Sequence, residues 1–190
     1  MIKLIYILYL SMFIWLLTPY KQFGTKYFWY FVLMAISDPL AFLIIKYTNI
    51  NTMQFFLFIL ALQFSTLLKK KRIMIFALLS FVINSLIIIL ISNPNIIRSI
   101  GAIYLISILL VLITEQYFYY ENKSFNLFLS LMILNVLINF IRFISMAISP
   151  SWGVTTFYIG LIVQLVFGLL FTFININTKF KTKVWKIILR

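Results

Sequence analysis

Cysteine and histidine are both absent from the 190 residues. Without cysteine there is no disulfide and no thiolate ligand, and the redox compartment leaves no mark on the sequence. Without histidine the commonest metal ligand and the commonest acid–base catalyst are missing. Acidic residues are scarce too: Asp38, Glu115 and Glu121 are the three, against 16 Lys and Arg. Intramembrane proteolysis by a serine–histidine pair, by two carboxylates at depth or by a histidine-held zinc therefore lacks its parts. The last apolar stretch, 153–175, has no lysine to form a retinal Schiff base, and no phosphate-binding glycine loop occurs anywhere. The expectation is a protein that is not an enzyme, with no cofactor and no metal.

Apolar side chains are what the chain has in abundance. At 64% hydrophobic and 10% charged it lies outside what a water-facing surface is built from, so the expected solvent is lipid. Apolar stretches near the ~20 residues a helix needs to cross a ~30 Å hydrocarbon core fall at 3–19, 27–46, 50–68, 73–92, 97–116, 124–148 and 153–175. The ~10-residue alternating segments of a transmembrane barrel are not found. Breaks fall at Lys21 to Lys26 with Gly24, at Asn49 and Asn51, at Lys69-Lys70-Lys71-Arg72, at Asn93-Pro94-Asn95, at Glu121-Asn122-Lys123 and at Ser149-Pro150-Ser151. The first stretch ends in Thr18-Pro19-Tyr20-Lys21 rather than in a small-residue cleavage site, so it is read as a retained helix. The expected fold is an all-α integral membrane protein: a single transmembrane domain over 1–190, a seven-helix bundle, with a basic cytoplasmic tail at 178–190.

Basic residues set the orientation, because loops rich in Lys and Arg stay cytoplasmic. With the N-terminus outside, Lys21, Lys26, Lys69 to Arg72, Lys123, Lys179, Lys181, Lys183, Lys186 and Arg190 are inside, and Lys3, Lys46 and Arg98 are outside. Amphipathic rings prefer the headgroup level, and Tyr20, Tyr27, Trp29, Tyr30, Tyr117, Tyr119 and Tyr120 fall near the inner boundaries, with Tyr6, Tyr9, Tyr47 and Trp152 near the outer ones. The positive charge is thus directed at anionic headgroups on the cytoplasmic face, not at nucleic acid. The tail alternates Lys with Phe180, Val184 and Trp185, a pattern suited to lying on the inner leaflet or docking a protein partner. Abundant Ile, Asn and Lys, as an A+T-rich coding sequence would give, lead to the expectation of a bacterial cytoplasmic membrane. Two helix triplets about a linking fourth are not carried by an internal repeat: Ile5 and Ile103, Thr18 and Thr114, Lys26 and Lys123 pair at unequal offsets, and no Pro-Gln pair occurs.

Ionisable groups at depth cost about 2.5 to 3.5 kcal/mol on insertion scales, so each asks for a partner or a purpose. Counted at about 1.5 Å per residue, Asp38 lies roughly 16 Å and Arg142 roughly 27 Å from the inner boundaries of their spans. Three readings stand side by side: Arg142 reaching the outer headgroups, a salt bridge between the two, and a proton or cation site at Asp38. Pro39 follows Asp38 and deprives the Ala35 carbonyl of its helical donor. Asn135, Asn139 and Arg142 recur at i, i+4 and i+7 and share a helix face that should look inward, as interhelical hydrogen-bonding glue or as the wall of a polar cavity. In the seventh stretch Thr156, Gly160, Gln164, Gly168 and Thr172 repeat every fourth residue; this small and polar stripe reads as a helix-packing face, with Gln164 as a bonding or ligand-contacting amide. Ser80 and Asn84 read as further glue, and Glu115 and Glu121 as solvated interfacial charges.

The candidate polar site is therefore Asp38, Asn135, Asn139, Arg142 and Gln164. The leading expectation for function is a sensor or accessory module that works through helix packing and a basic cytoplasmic face, alone, as a homo-oligomer or with a protein partner. The alternatives are a small-solute or proton/cation-coupled transporter with a site near Asp38, and a structural subunit of a membrane complex.

Overall fold

The structure, a computed structural model, describes residues 2–47, 52–68, 70–90, 93–121, 125–148 and 150–177. Among the described residues there are seven helices and no strand: α1 (Ile2–Gln22), α2 (Phe28–Tyr47), α3 (Thr52–Leu67), α4 (Lys70–Leu90), α5 (Pro94–Glu121), α6 (Leu127–Ile148) and α7 (Pro150–Phe173). Two stretches, Asn95–Glu121 in α5 and Leu127–Ser145 in α6, are long and apolar enough to cross a membrane. Shorter apolar stretches run over Phe28–Ile44, Met53–Leu67, Ile75–Leu86 and Ile159–Phe173. The basic tail from Thr178 onward, and the Asn49, Asn51, Lys69 and Lys123 breaks, lie outside the described residues.

Local chemistry accounts for where the helices start, bend and stop. α1 runs past the expected boundary at Pro19 to Gln22. Pro19 has no N–H for the Trp15 carbonyl, and the Thr18 hydroxyl donates to that carbonyl instead, at 2.7 Å, so the helix continues. The turn into α2 then closes on Gly24 at φ +77°, a left-handed conformation that a side chain would disfavour, while the Thr25 amide and hydroxyl both donate to the Gln22 carbonyl. α5 starts earlier than expected because Asn93 accepts the Asn95 amide at its Oδ1, 3.0 Å away, and Pro94 occupies the first helical position, where a missing N–H costs nothing. Asn126 caps α6 in the same way through the Leu129 amide. Pro39 stays inside α2, which remains helical through Tyr47.

Six of the helices close into a ring. α1 packs on α2, α2 on α3, α3 on α5, α5 on α6, α6 on α7, and α7 back on α1. α4 stands outside, with its extensive contact on α3, where Ser80 and Asn84 are buried and Phe76 meets Phe64 edge to face at 4.7 Å. In this order α2 and α6 stand opposite one another, two helices apart by either route around the ring.

The main core fills the ring at the end that carries Gln22, Tyr27 and Glu115. There Trp15, Tyr27, Phe31, Phe128, Phe167 and Phe171 are buried together with Leu112, Leu129 and Met132. Phe31, with no exposed surface, lies 4.9 Å from Phe171, 5.9 Å from Phe128 and 6.3 Å from Trp15, ring centre to ring centre, within the range of favourable aromatic pairs. The outward faces are apolar as well. Leu10, Phe13, Leu16 and Leu17 of α1, Ile75, Leu78, Leu79, Phe81 and Val82 of α4, and Ile103, Ile106, Leu110 and Ile113 of α5 are all exposed.

Candidate functional site: a polar cavity inside the helix ring

A cavity of about 460 Å³ lies within the ring, beyond the aromatic end, and all six ring helices contribute to its wall. Leu8, Met12 and Trp15 come from α1, Met53, Phe56 and Gln63 from α3, Leu105 from α5, and Leu161 and Gln164 from α7. α2 supplies Tyr30, Met34, Ser37, Asp38 and Phe42, and α6 supplies Val136, Asn139, Arg142 and Phe143. A mostly apolar wall with a few convergent polar groups, in the volume range of about 300–1,000 Å³, is the usual make-up of a small-molecule site.

Four of the five residues singled out from sequence thus meet in one place: Asp38, Asn139, Arg142 and Gln164. The fifth, Asn135, is 3% exposed and sits one turn below, where its carbonyl accepts the Asn139 side-chain amide at 3.0 Å. That bond ties down one N–H of Asn139 and fixes how its amide is held. Asp38 and Arg142 lie on opposite walls, each acting electrostatically on the other. Counted along their helices they differ in depth, yet both border the same cavity. At the other end of the ring Lys26 Nζ and Glu115 Oε1 form an ion pair at 2.6 Å.

The small-residue stripe of α7 divides into two different contacts. A side chain at Gly168 would meet Ile14 Cγ2 at 2.9 Å and Trp15 Nε1 at 3.2 Å, so this glycine sets the close approach of α7 to α1. Gly160 does something the spacing alone did not reveal. A Cβ there would meet Arg142 Cδ at 3.0 Å and its guanidinium at 3.1–3.2 Å, so the missing side chain leaves a bed for Arg142 rather than for another backbone. Thr172 turns its hydroxyl to the Gly168 carbonyl of its own helix, at 2.8 Å, and Thr156 lies within α7 with its side chain outside the described ones. The Gln164 backbone carbonyl accepts the Trp15 indole N–H at 3.0 Å, which leaves the Gln164 side chain on the cavity wall.

Two groups escaped the sequence reading. Gln63, 4% exposed, adds an amide to the cavity from α3; a lone glutamine in an apolar helix is the same signal that marked Gln164. Gln22 falls by sequence in the Lys21 to Lys26 break, yet it is fully buried and donates to the Phe171 and Ile174 carbonyls at 3.0 and 2.8 Å, tying α1 to the C-terminal end of α7. Glu115, expected as a solvated charge, binds Lys26 and also accepts the hydroxyl of the buried Tyr27. Among the described residues no three His, Cys, Asp or Glu side chains gather in a metal-binding group.

The class defined by these features is a helix ring around a mostly apolar cavity with a few convergent polar groups. The chain matches no protein-family model, no curated protein and no solved structure.

Proposed function

We propose that this chain is a multi-pass membrane protein that receives a small polar solute in the cavity between Asp38 and Arg142 and acts as a sensor or accessory module. All seven helices cross the bilayer in this reading. α5 and α6 have the length and apolarity for it, and the packing of the other ring helices beside them, with α4 against α3, supports the reading. Helices of 20 to 24 residues in α1, α2, α4, α6 and α7 span about 30–36 Å at 1.5 Å per residue, near the ~30 Å of hydrocarbon. The exposed apolar faces of α1, α4 and α5 would be far too large for a water-soluble monomer and are ordinary against lipid. The excess of basic residues around Lys21, Lys26 and Arg72 supports a cytoplasmic position for that end, against anionic headgroups, with the N-terminus outside and a bacterial cytoplasmic membrane as the proposed setting.

The observation that carries the solute reading is the convergence of Asp38, Asn139, Arg142 and Gln164 on space large enough for a ligand. Charge at depth is costly, and groups kept there around a cavity rather than packed away are best explained by what enters. The aromatic end favours reception over passage, because Phe31, Phe128 and Phe171 fill the ring between the cavity and the Gln22 end. Transport is the second reading, favoured by the same charges, and requires that this end open.

The test is a thermal-shift survey of small polar solutes against the purified protein in mild detergent, followed by uptake of each binder into proteoliposomes. Binding without uptake is the expected result. Uptake moves the assignment to transport, and a survey in which no solute raises the melting temperature removes the solute site altogether.

A further inference from the structure

We propose that the cavity selects small solutes carrying an ammonium and a carboxylate on one molecule, with the ammonium held at Asp38 and the carboxylate at Arg142. This rests on the reading of the cavity as a solute site and narrows it to a chemical class.

Among the described residues the walls hold one acid and one base, Asp38 on α2 and Arg142 on α6, from helices on opposite sides of the ring. Tyr30 is the other titratable group among the described lining residues and is uncharged at neutral pH. A cation would match one wall and be repelled by the other, and an anion the reverse. A solute with both charges meets a counter-charge at each end and leaves the cavity neutral, which is what a low-dielectric interior favours. Gly160 adds a positional argument: without a Cβ beneath it, the Arg142 guanidinium rests against α7. A planar guanidinium held in one place offers paired N–H donors that fit a carboxylate. Asn139, Gln164 and Gln63 supply amide donors and acceptors between the poles, and Met34, Phe42 and Phe56 supply an apolar flank for the rest of the solute.

The experiment uses the full chain in mild detergent and measures melting temperature against concentration for the common L-α-amino acids and β-alanine. For each binder, two near-isosteres follow: the amine lacking the carboxylate and the α-hydroxy acid lacking the ammonium. At least one amino acid is expected to bind, with both derivatives at least about tenfold weaker, since each gives up one of the two charge-assisted contacts. Asp38→Asn should erase the penalty for losing the ammonium, and Arg142→Gln the penalty for losing the carboxylate. The wild-type series decides the question even if either variant fails to fold. A derivative that binds as tightly as its parent, or a singly charged or neutral solute that binds where no amino acid does, overturns the zwitterion assignment and leaves the solute site standing. If no solute of any class binds, the solute site falls with it.

Discussion

At the end of the ring that carries Gln22 and Glu115, Trp15, Phe31, Phe128 and Phe171 pack ring against ring, whereas farther along the same helices Asp38, Asn139, Arg142 and Gln164 stand around open space. One set of helices therefore does two incompatible things, and the difference shows how. Aromatic side chains bring large contact area, and their packing fixes the helices where no polar group has to be satisfied. Helices held firmly at one end can leave a gap at the other without collapsing into it. Gln22 contributes to that hold, since its amide donates to two carbonyls at the end of α7. A polar cavity supported in this way keeps its walls in place before anything binds, which lowers the cost of binding.

The largest expected effect comes from breaking the aromatic end. Phe31→Ala removes a ring with no exposed surface that touches three helices, and should destabilise the protein by about 3–5 kcal/mol. Leu8→Ala deletes a side chain that already borders open space, and should cost less than about 1 kcal/mol, because little contact is lost. Reversible unfolding in mixed micelles measures both. Equal losses would mean that the two halves are packed alike and that the cavity is not a standing feature of the bundle.

A second contrast uses two glycines on one helix. Gly168→Ala drives a methyl to within 2.9 Å of Ile14 Cγ2, on a stiff β-branched side chain, and 3.2 Å of a Trp15 indole already committed to the Gln164 carbonyl. Overpacking of that kind should cost about 1–3 kcal/mol. Gly160→Ala meets only the outer part of the Arg142 side chain, which has the cavity to move into, and the gain in helix propensity of up to about 1 kcal/mol offsets the push. Stability should therefore barely change at Gly160, while solute affinity falls because the guanidinium is displaced. Melting temperatures and binding curves for the two variants should show opposite patterns; a Gly160 variant as destabilised as the Gly168 one would place a tight helix contact where the cavity wall should be.

Much of this contrast was legible in the residue pattern, and the missing part has a physical cause. Seven helices, the breaks between them and the inward face of Asn135, Asn139 and Arg142 follow from apolar run length and the 3.6-residue period, which are local properties. Which helices are neighbours is not local. Spacing showed that Gly160 and Gly168 share a face of α7, but that face turns between α6 and α1, so one glycine meets Arg142 and the other Ile14 and Trp15. Gln22 was hidden for a related reason. It looks like a loop residue beside Lys21, and its burial depends on α7 ending just where α1 does. Six helices closing while α4 stays outside is likewise a matter of packing, since α4 is as apolar as its neighbours.

The smallest expected effect lies at the rim of the aromatic end, where Lys26 from the α1–α2 turn reaches Glu115 of α5. Their side chains are 53% and 24% exposed, so water and salt screen the pair and its loss alone should cost no more than about 0.5–1 kcal/mol. Glu115→Gln keeps an oxygen for the buried Tyr27 hydroxyl while removing the charge that holds Lys26, and its destabilisation should vanish as salt is raised. Glu115→Ala also strips the acceptor from Tyr27, whose hydroxyl is then left in the core without a partner, and should cost about 1–3 kcal/mol at any salt concentration. Unfolding of the two variants at low and high salt separates the screened rim from the dry aromatic core behind it. If Glu115→Ala were rescued by salt like Glu115→Gln, water would have to reach Tyr27, and the end of the ring that supports the cavity would be open rather than packed.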